Sequence, residues 1–176
     1  IIWTAYEKEG TDVPQEPEEP ENPTHGTLEG GHETEYGSIH WVLYEDGLME
    51  ISGTLSLHES YWRDVAHLIK KVVILEGVTN MGFEAFRDCV NLTEIVLPDT
   101  VTSIGSRAFY NCRALAKVNI PDGVATVPEY AFYECDALTE ITIPGSVITV
   151  NDYAFSYCDA LKKITFSGRA PGIASY

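Results

Sequence analysis

From Ile104 to Leu115 the chain reads Ile-Gly-Ser-Arg-Ala-Phe-Tyr-Asn-Cys-Arg-Ala-Leu. Within it lies one of four copies of Ala-Phe-x-x-Cys-x-x-Leu at an unbroken spacing of 23: Ala85 to Leu92, Ala108 to Leu115, Ala131 to Leu138 and Ala154 to Leu161. A fixed period of about 20–50 residues marks a solenoid, in which each unit is too small to bury its apolar face and stacks on its neighbours. Stepping outward by 23 gives further columns. Val72, Ile95, Val118, Ile141 and Ile164 form one, and Ile74, Leu97, Ile120, Ile143 and Phe166, two residues on, form the next. A spacing of two puts both on one face of a strand. Pro98, Pro121 and Pro144 then end the strand, and Val78, Val101, Val124, Val147 with Met81, Ile104, Val127, Val150 turn the coil back under it. The Ala-Phe-x-x-Cys segment is expected to make a helical turn with Phe86, Phe109, Phe132 and Phe155 stacked inside. The predicted fold is an α/β repeat solenoid with a parallel β-sheet on one side, short helical turns and loops on the other, and more strand than helix.

Before the repeats the texture changes twice. Ile1 to Tyr6 is apolar and strand-like, and residues 1–10 read either as a frayed start or, preferably, as the end of a preceding domain. Residues 11–36 read as an acidic linker: Pro14, Pro17, Pro20 and Pro23 recur every third residue among glutamates, which suits a polyproline II stalk. From 37 to 69 the chain reads as an N-terminal cap. Ile39, Trp41 and Leu43 alternate with His40, Val42 and Tyr44, Asp46-Gly47 supplies a turn, and a β-hairpin is expected over residues 38–54. Tyr61, Trp62, Val65, Leu68 and Ile69 fall at helical spacing, so a short amphipathic helix follows. Four full repeats and part of a fifth occupy 70–176. Tyr176 falls in the column of Tyr153, so the coil stops part-way, and the repeat is expected to continue. Ile1 in place of an initiating methionine likewise points to a processed or excised piece.

Charge excludes two partner classes. The net charge is −16. Residues 1–36 hold ten acids against Lys8, giving −9 and leaving −7 for the rest. Nucleic acids and anionic membranes are bound through clustered Lys and Arg, which this chain lacks. No stretch approaches the length of a membrane-spanning helix.

The four cysteines, Cys89, Cys112, Cys135 and Cys158, are one per repeat. Metal sites draw ligands at short spacings, and parallel side chains in a column point the wrong way for a disulfide, so buried free thiols are the preferred reading. His25 and His32-Glu33 have no third ligand on a rigid element and carry no metal site. No Gly-x-Ser-x-Gly, no Cys with a nearby His and no paired acids in a pocket are present, and no histidine occurs from residue 70 onward. No catalytic residue, metal or cofactor is expected.

Two surfaces remain as candidates. On the strand, the column between the inward ones reads Lys71, Glu94, Lys117, Glu140, Lys163, with Val73, Val96, Asn119, Thr142 and Thr165 two residues on. Alternating charge is either a strip that recognises a partner or a ladder that neutralises itself, and the second is preferred because such a ladder has little charge left to offer. On the loop side, Tyr130, Tyr153 and Tyr176 form a column, with Tyr110, Tyr133 and Tyr157 in the turns. These tyrosines are either interface residues or a shield over the coil.

With these columns in place, Ile104 to Leu115 followed by Val118-Asn119-Ile120-Pro121-Asp122-Gly123-Val124 resembles the BspA-type leucine-rich repeat family of bacterial surface proteins. The cap, Trp41 to Gly47 with Ile51-Ser52-Gly53-Thr54, is also similar to what precedes such arrays. The resemblance covers 37–176 and implies a right-handed solenoid, secreted or on the cell surface, that serves adhesion by binding a host-matrix or neighbouring-cell protein. Signal and anchor are then expected outside this stretch. A carbohydrate-binding or spacer domain of a larger surface enzyme is the alternative.

Overall fold

A computed structural model describes residues 28–173 except 36, 55, 58–60 and 76. The apolar start at Ile1 to Tyr6, the proline-rich stretch, His25 and Tyr176 lie outside the described residues. Five coils follow the 23-residue period. Each has a strand on the sheet side: β4 (Lys71–Ile74), β6 (Glu94–Val96), β8 (Lys117–Val118), β10 (Glu140–Ile143) and β12 (Lys163–Phe166). Each has a two-residue strand on the return: β5 (Asn80–Met81), β7 (Ser103–Ile104), β9 (Thr126–Val127), β11 (Thr149–Val150) and β13 (Gly172–Ile173). The pairing is parallel at one period, Lys71 opposite Glu94, Glu94 opposite Lys117, and Glu140 opposite Lys163.

The inward columns make one core. Val72, Ile95 and Ile141, Ile74, Leu97, Ile120 and Ile143, and every Val, Ala, Cys and return-strand column from coil 1 to coil 4 are buried. Phe86, Phe109 and Phe132 are fully buried, and they stack with Phe155 at 5.8, 5.1 and 5.3 Å between successive centroids. Trp62 of the cap closes the stack over Phe86 at 5.1 Å. In coil 5 the same columns are open: Ile164 is 42% and Phe166 36% exposed.

The cap differs from expectation at its start. The linker expected to run to residue 36 gives way at Leu28, where β1 (Leu28–Thr34) pairs antiparallel with β2 (Gly37–Leu43). Glycine allows it, because a Cβ at Gly30 would run into the Trp41 indole. His32 stacks on Tyr61 at 5.8 Å, which further anchors this strand. The hairpin of β2 with β3 (Leu48–Gly53) turns through Gly47, whose φ of +89° is in the left-handed region. Strand β3 then pairs parallel with β4, Met49 opposite Val72 and Ile51 opposite Ile74, again one period apart. The cap thus supplies a preliminary rung of the solenoid. The helical segment is a 3-10 helix, Arg63–Leu68, with Ala66 turned inward.

The Ala-Phe-x-x-Cys segments are chains of tight turns. Glu84, Arg107, Tyr130 and Tyr153, and then Asp88, Asn111, Glu134 and Tyr157, all have φ between +56° and +60°. Left-handed residues cannot continue a right-handed helix. Their placement lets alternate amides face different ways. Ala85, Arg87 and Cys89 close turns on the carbonyls of Gly82, Glu84 and Phe86, while Glu84, Phe86 and Asp88 donate to Ser106, Ala108 and Tyr110 of the next coil at 3.0, 2.7 and 2.9 Å. This loop-side ladder repeats at the next two junctions.

Candidate functional site

The strands place Lys71, Glu94, Lys117, Glu140 and Lys163 in one strip on the sheet side, because each is the residue between two inward columns. Opposite charges face each other across the paired strands. Among the described residues, however, none of the five closes an ion pair within 4.0 Å. Lys71, Lys117, Glu140 and Lys163 are exposed and Glu94 half-buried, so water rather than a neighbour satisfies most of this charge.

The flanking column is split by chemistry. Val73 and Val96 are 43% and 61% exposed and, with Leu48 and with Pro98, read in the sequence as a strand terminator alone, line an apolar depression of about 380 Å³. Thr142 and Thr165 are exposed in the later coils. Asn119 behaves unlike the rest. Its side chain turns back along the sheet: Leu97 N–H donates to Asn119 Oδ1 at 2.7 Å, and Asn119 Nδ2 donates to the Leu97 carbonyl at 2.8 Å. A carboxamide does there what a strand backbone does elsewhere, and β8 ends at Val118. The sheet beyond it is interrupted, with β1-β2-β3-β4-β6-β8 forming one sheet and β10-β12 another. Over the interruption lies a crevice of about 820 Å³. On the return side the interruption falls one coil earlier, between β7 and β9. Pro128 accounts for it, having no N–H where Gly105 and Asn151 donate to Met81 and Val127.

On the loop side the tyrosines form two stacks. Tyr130 lies on Tyr153 and Tyr110 on Tyr133, both at 5.0 Å and 6° between planes, and Tyr130 meets Tyr133 edge-on at 5.3 Å. Arginines continue both stacks towards the cap. Arg107 sits 5.2 Å from the Tyr130 ring and 5.9 Å from Phe83, and Arg87 sits 5.4 Å from Tyr110. The buried Glu84 carboxylate holds both guanidinium groups, Arg87 at 2.6 Å and Arg107 at 3.9 Å. These arginines sit one period before the tyrosines they cover, a signal present in the columns but visible only once the rings are seen to stack. Tyr110 and Tyr130 each meet an arginine and a stacked tyrosine along the solenoid, and Tyr133 stacks on Tyr110. At the far end the surface opens, with Tyr153 40% and Tyr157 64% exposed. Tyr157 meets Tyr133 edge-on at 5.1 Å.

The cysteines are free and buried. Each of the last three donates its S–H to a phenylalanine carbonyl of the preceding coil, Cys112 to Phe86 at 3.1 Å, Cys135 to Phe109 at 3.3 Å and Cys158 to Phe132 at 3.1 Å. Burial raises all four thiols well above the ordinary cysteine value, Cys158 to about 11. A thiol held protonated is a poor nucleophile and a poor metal ligand. Among the described residues no three His, Cys, Asp or Glu side chains gather as a metal site, and no helix is long and apolar enough to cross a membrane.

Comparison with known proteins agrees with this geometry. The family model of the BspA type leucine rich repeat region matches residues 61–176 in six copies. Comparison with curated proteins finds no match. Among solved structures, a leucine-rich repeat protein from Bacteroides capillosus is 30% identical, covering 78% of this chain and 99% of its own, with a TM-score of 0.52. One from Eubacterium ventriosum is 24% identical over 81% of this chain and 44% of its own, with a TM-score of 0.60. A third, from Bacteroides ovatus, is 25% identical over 72% and 39%, with a TM-score of 0.50. The chain thus spans less than half the length of two of these relatives.

Proposed function

We propose that this chain, which belongs to the BspA type leucine-rich repeat family, is a non-enzymatic protein-binding module whose sheet side meets the partner, within a secreted or cell-surface bacterial protein that serves adhesion. Leucine-rich repeat proteins are generally interaction modules, and membership is the ground for the class of function. The observation that carries the choice of surface is the strip of Lys71, Glu94, Lys117, Glu140 and Lys163, in register wherever its strands pair yet without a closed ion pair, beside the exposed Val73 and Val96. Charges that do not neutralise one another remain free to pair with a partner, and the adjoining valines add apolar area to the same face. The tyrosine side offers less. Sugar recognition by stacking needs open ring faces, and Tyr110 and Tyr130 each give theirs to an arginine and a tyrosine, while Tyr133 gives one to Tyr110.

Binding of purified extracellular-matrix and bacterial surface proteins is to be measured on the wild type, on Glu94→Lys and Glu140→Lys, and on the Tyr130→Ala, Tyr153→Ala pair. Charge reversals on the sheet are expected to weaken a protein ligand at least tenfold and the tyrosine pair to leave it within threefold. Glycan binding lost with the tyrosine pair would replace this reading with the carbohydrate one.

A further inference from the structure

The sheet side is hydrogen-bonded at three of its coil junctions and parted at one. Thr93 N–H donates to the Lys70 carbonyl at 2.8 Å, Ala116 N–H to Thr93 at 3.0 Å, and Lys162 N–H to Thr139 at 2.9 Å. The bond that the same column calls for, from Thr139 N–H to the Ala116 carbonyl, is missing, and no ladder joins β8 to β10. Coil 3 departs from its neighbours at this point. Asn119 stands where coils 1 and 2 have valine and coils 4 and 5 threonine. Its carboxamide bonds to Leu97 of coil 2, and β8 runs for two residues, where β10 and β12 run for four. Strand β10 is left without a partner on that side. Backbone N–H and C=O groups are obligatory hydrogen-bonding groups, and Ala116 and Thr139, which carry the open pair, both line the 820 Å³ crevice.

We propose that this crevice receives an Asn or Gln side chain from an extended segment of a protein partner. The chain carries its own precedent. One coil earlier a carboxamide takes up one donor and one acceptor left by a missing strand, at 2.7 and 2.8 Å. A partner's carboxamide brings the same complement to Thr139 N–H and the Ala116 carbonyl. The surroundings favour a segment of mixed character. Lys117 and Lys163 flank Glu140, which disfavours a uniformly acidic or basic ligand, and Val96 at the near end of the crevice offers an apolar contact. Asn119 is in this account a positioning residue, which opens the site without contacting the ligand. The inference rests on the sheet side being the binding face.

The test uses a displayed library of random linear peptides, about 12 residues long, selected against the full chain. Enriched peptides are expected to share an Asn or Gln whose replacement by Leu weakens binding about tenfold, the loss of two hydrogen bonds. Asn119→Thr and Asn119→Val place residues of the neighbouring coils at this position, so the fold is retained, as circular dichroism checks. Either should close the junction, slow hydrogen exchange at the Thr139 amide, and weaken the same peptides tenfold or more. Peptides that bind both variants as tightly as the wild type overturn the proposal, as does an unchanged Thr139 exchange rate or a library that yields no carboxamide-dependent binder. Glu94→Lys separates the two levels: if it weakens such peptides while the Asn119 variants do not, the sheet face stands and the crevice falls, and if neither matters both fall.

Discussion

Phe109→Ala removes the central rung of the aromatic stack. Phe109 is fully buried between Phe86 at 5.8 Å and Phe132 at 5.1 Å, both 7° from parallel. Deleting such a ring costs about 3–5 kcal/mol, of which each ring–ring contact contributes about 0.5–1.5 kcal/mol. Phe155 is half-buried and touches Phe132 alone among the described rings, at 5.3 Å. Phe155→Ala should therefore cost about half as much. Both are measured by urea denaturation of the full chain, followed by circular dichroism and by the fluorescence of Trp62, which closes the stack over Phe86. In a solenoid only adjacent units couple, so a double-mutant cycle between Phe86 and Phe109 should give about 0.5–1.5 kcal/mol, and one between Phe86 and Phe155 less than about 0.5 kcal/mol. Equal losses at Phe109 and Phe155, or equal couplings in the two cycles, would refute the stacked-unit account of stability.

Two further outcomes are expected. Tyr157 has φ of +57° and is 64% exposed, so Tyr157→Val should lower the melting temperature more than Tyr157→Gly, in which relief of about 1 kcal/mol of backbone strain offsets the lost edge-on contact with Tyr133. The buried thiols make stability fall in alkali. With all four folded values raised by burial, Cys158 to about 11, the folded chain holds protons that the unfolded chain releases from about pH 9 upward. Their contribution is complete below pH 9 and lost as pH rises towards those folded values, at about 1.4 kcal/mol per pH unit for each thiol. Cys112→Ala should flatten the slope of stability against pH between 9 and 11 by one thiol's share, and an unchanged slope would remove the thiols from the explanation.

Much of the coil was legible because inward positions repeat every 23 residues and burial tolerates only apolar side chains there. The phenylalanine stack, the alternating charged column and the hairpin turning at Gly47 all follow from that regularity and from local turn chemistry. The preliminary rung was readable too: Met49 and Ile51 lie one period before Val72 and Ile74, although their place in a hairpin hid the match. Strand β1 was not readable. Leu28 to Thr34 carries acids and two glycines with no alternation, and the glycines make sense only against β2, Gly30 against the Trp41 indole and Gly31 against the Ile39 carbonyl. The left-handed residues flanking each Ala-Phe pair escaped as well, since Glu, Arg and Tyr carry no local preference for that conformation. It is stabilised by amides reaching the next coil.

Sequence alone determined which side chains lie inside, because period and polarity are enough to sort a column into core or surface. Tertiary structure alone decided what the surface columns do. Whether Lys and Glu one period apart close an ion pair, whether tyrosine rings offer faces or edges, and whether Asn119 points to a partner or back to Leu97 all depend on the separation of adjacent coils. That separation is set jointly by the hydrogen bonds each junction makes, and by the one between Thr139 and Ala116 that it does not.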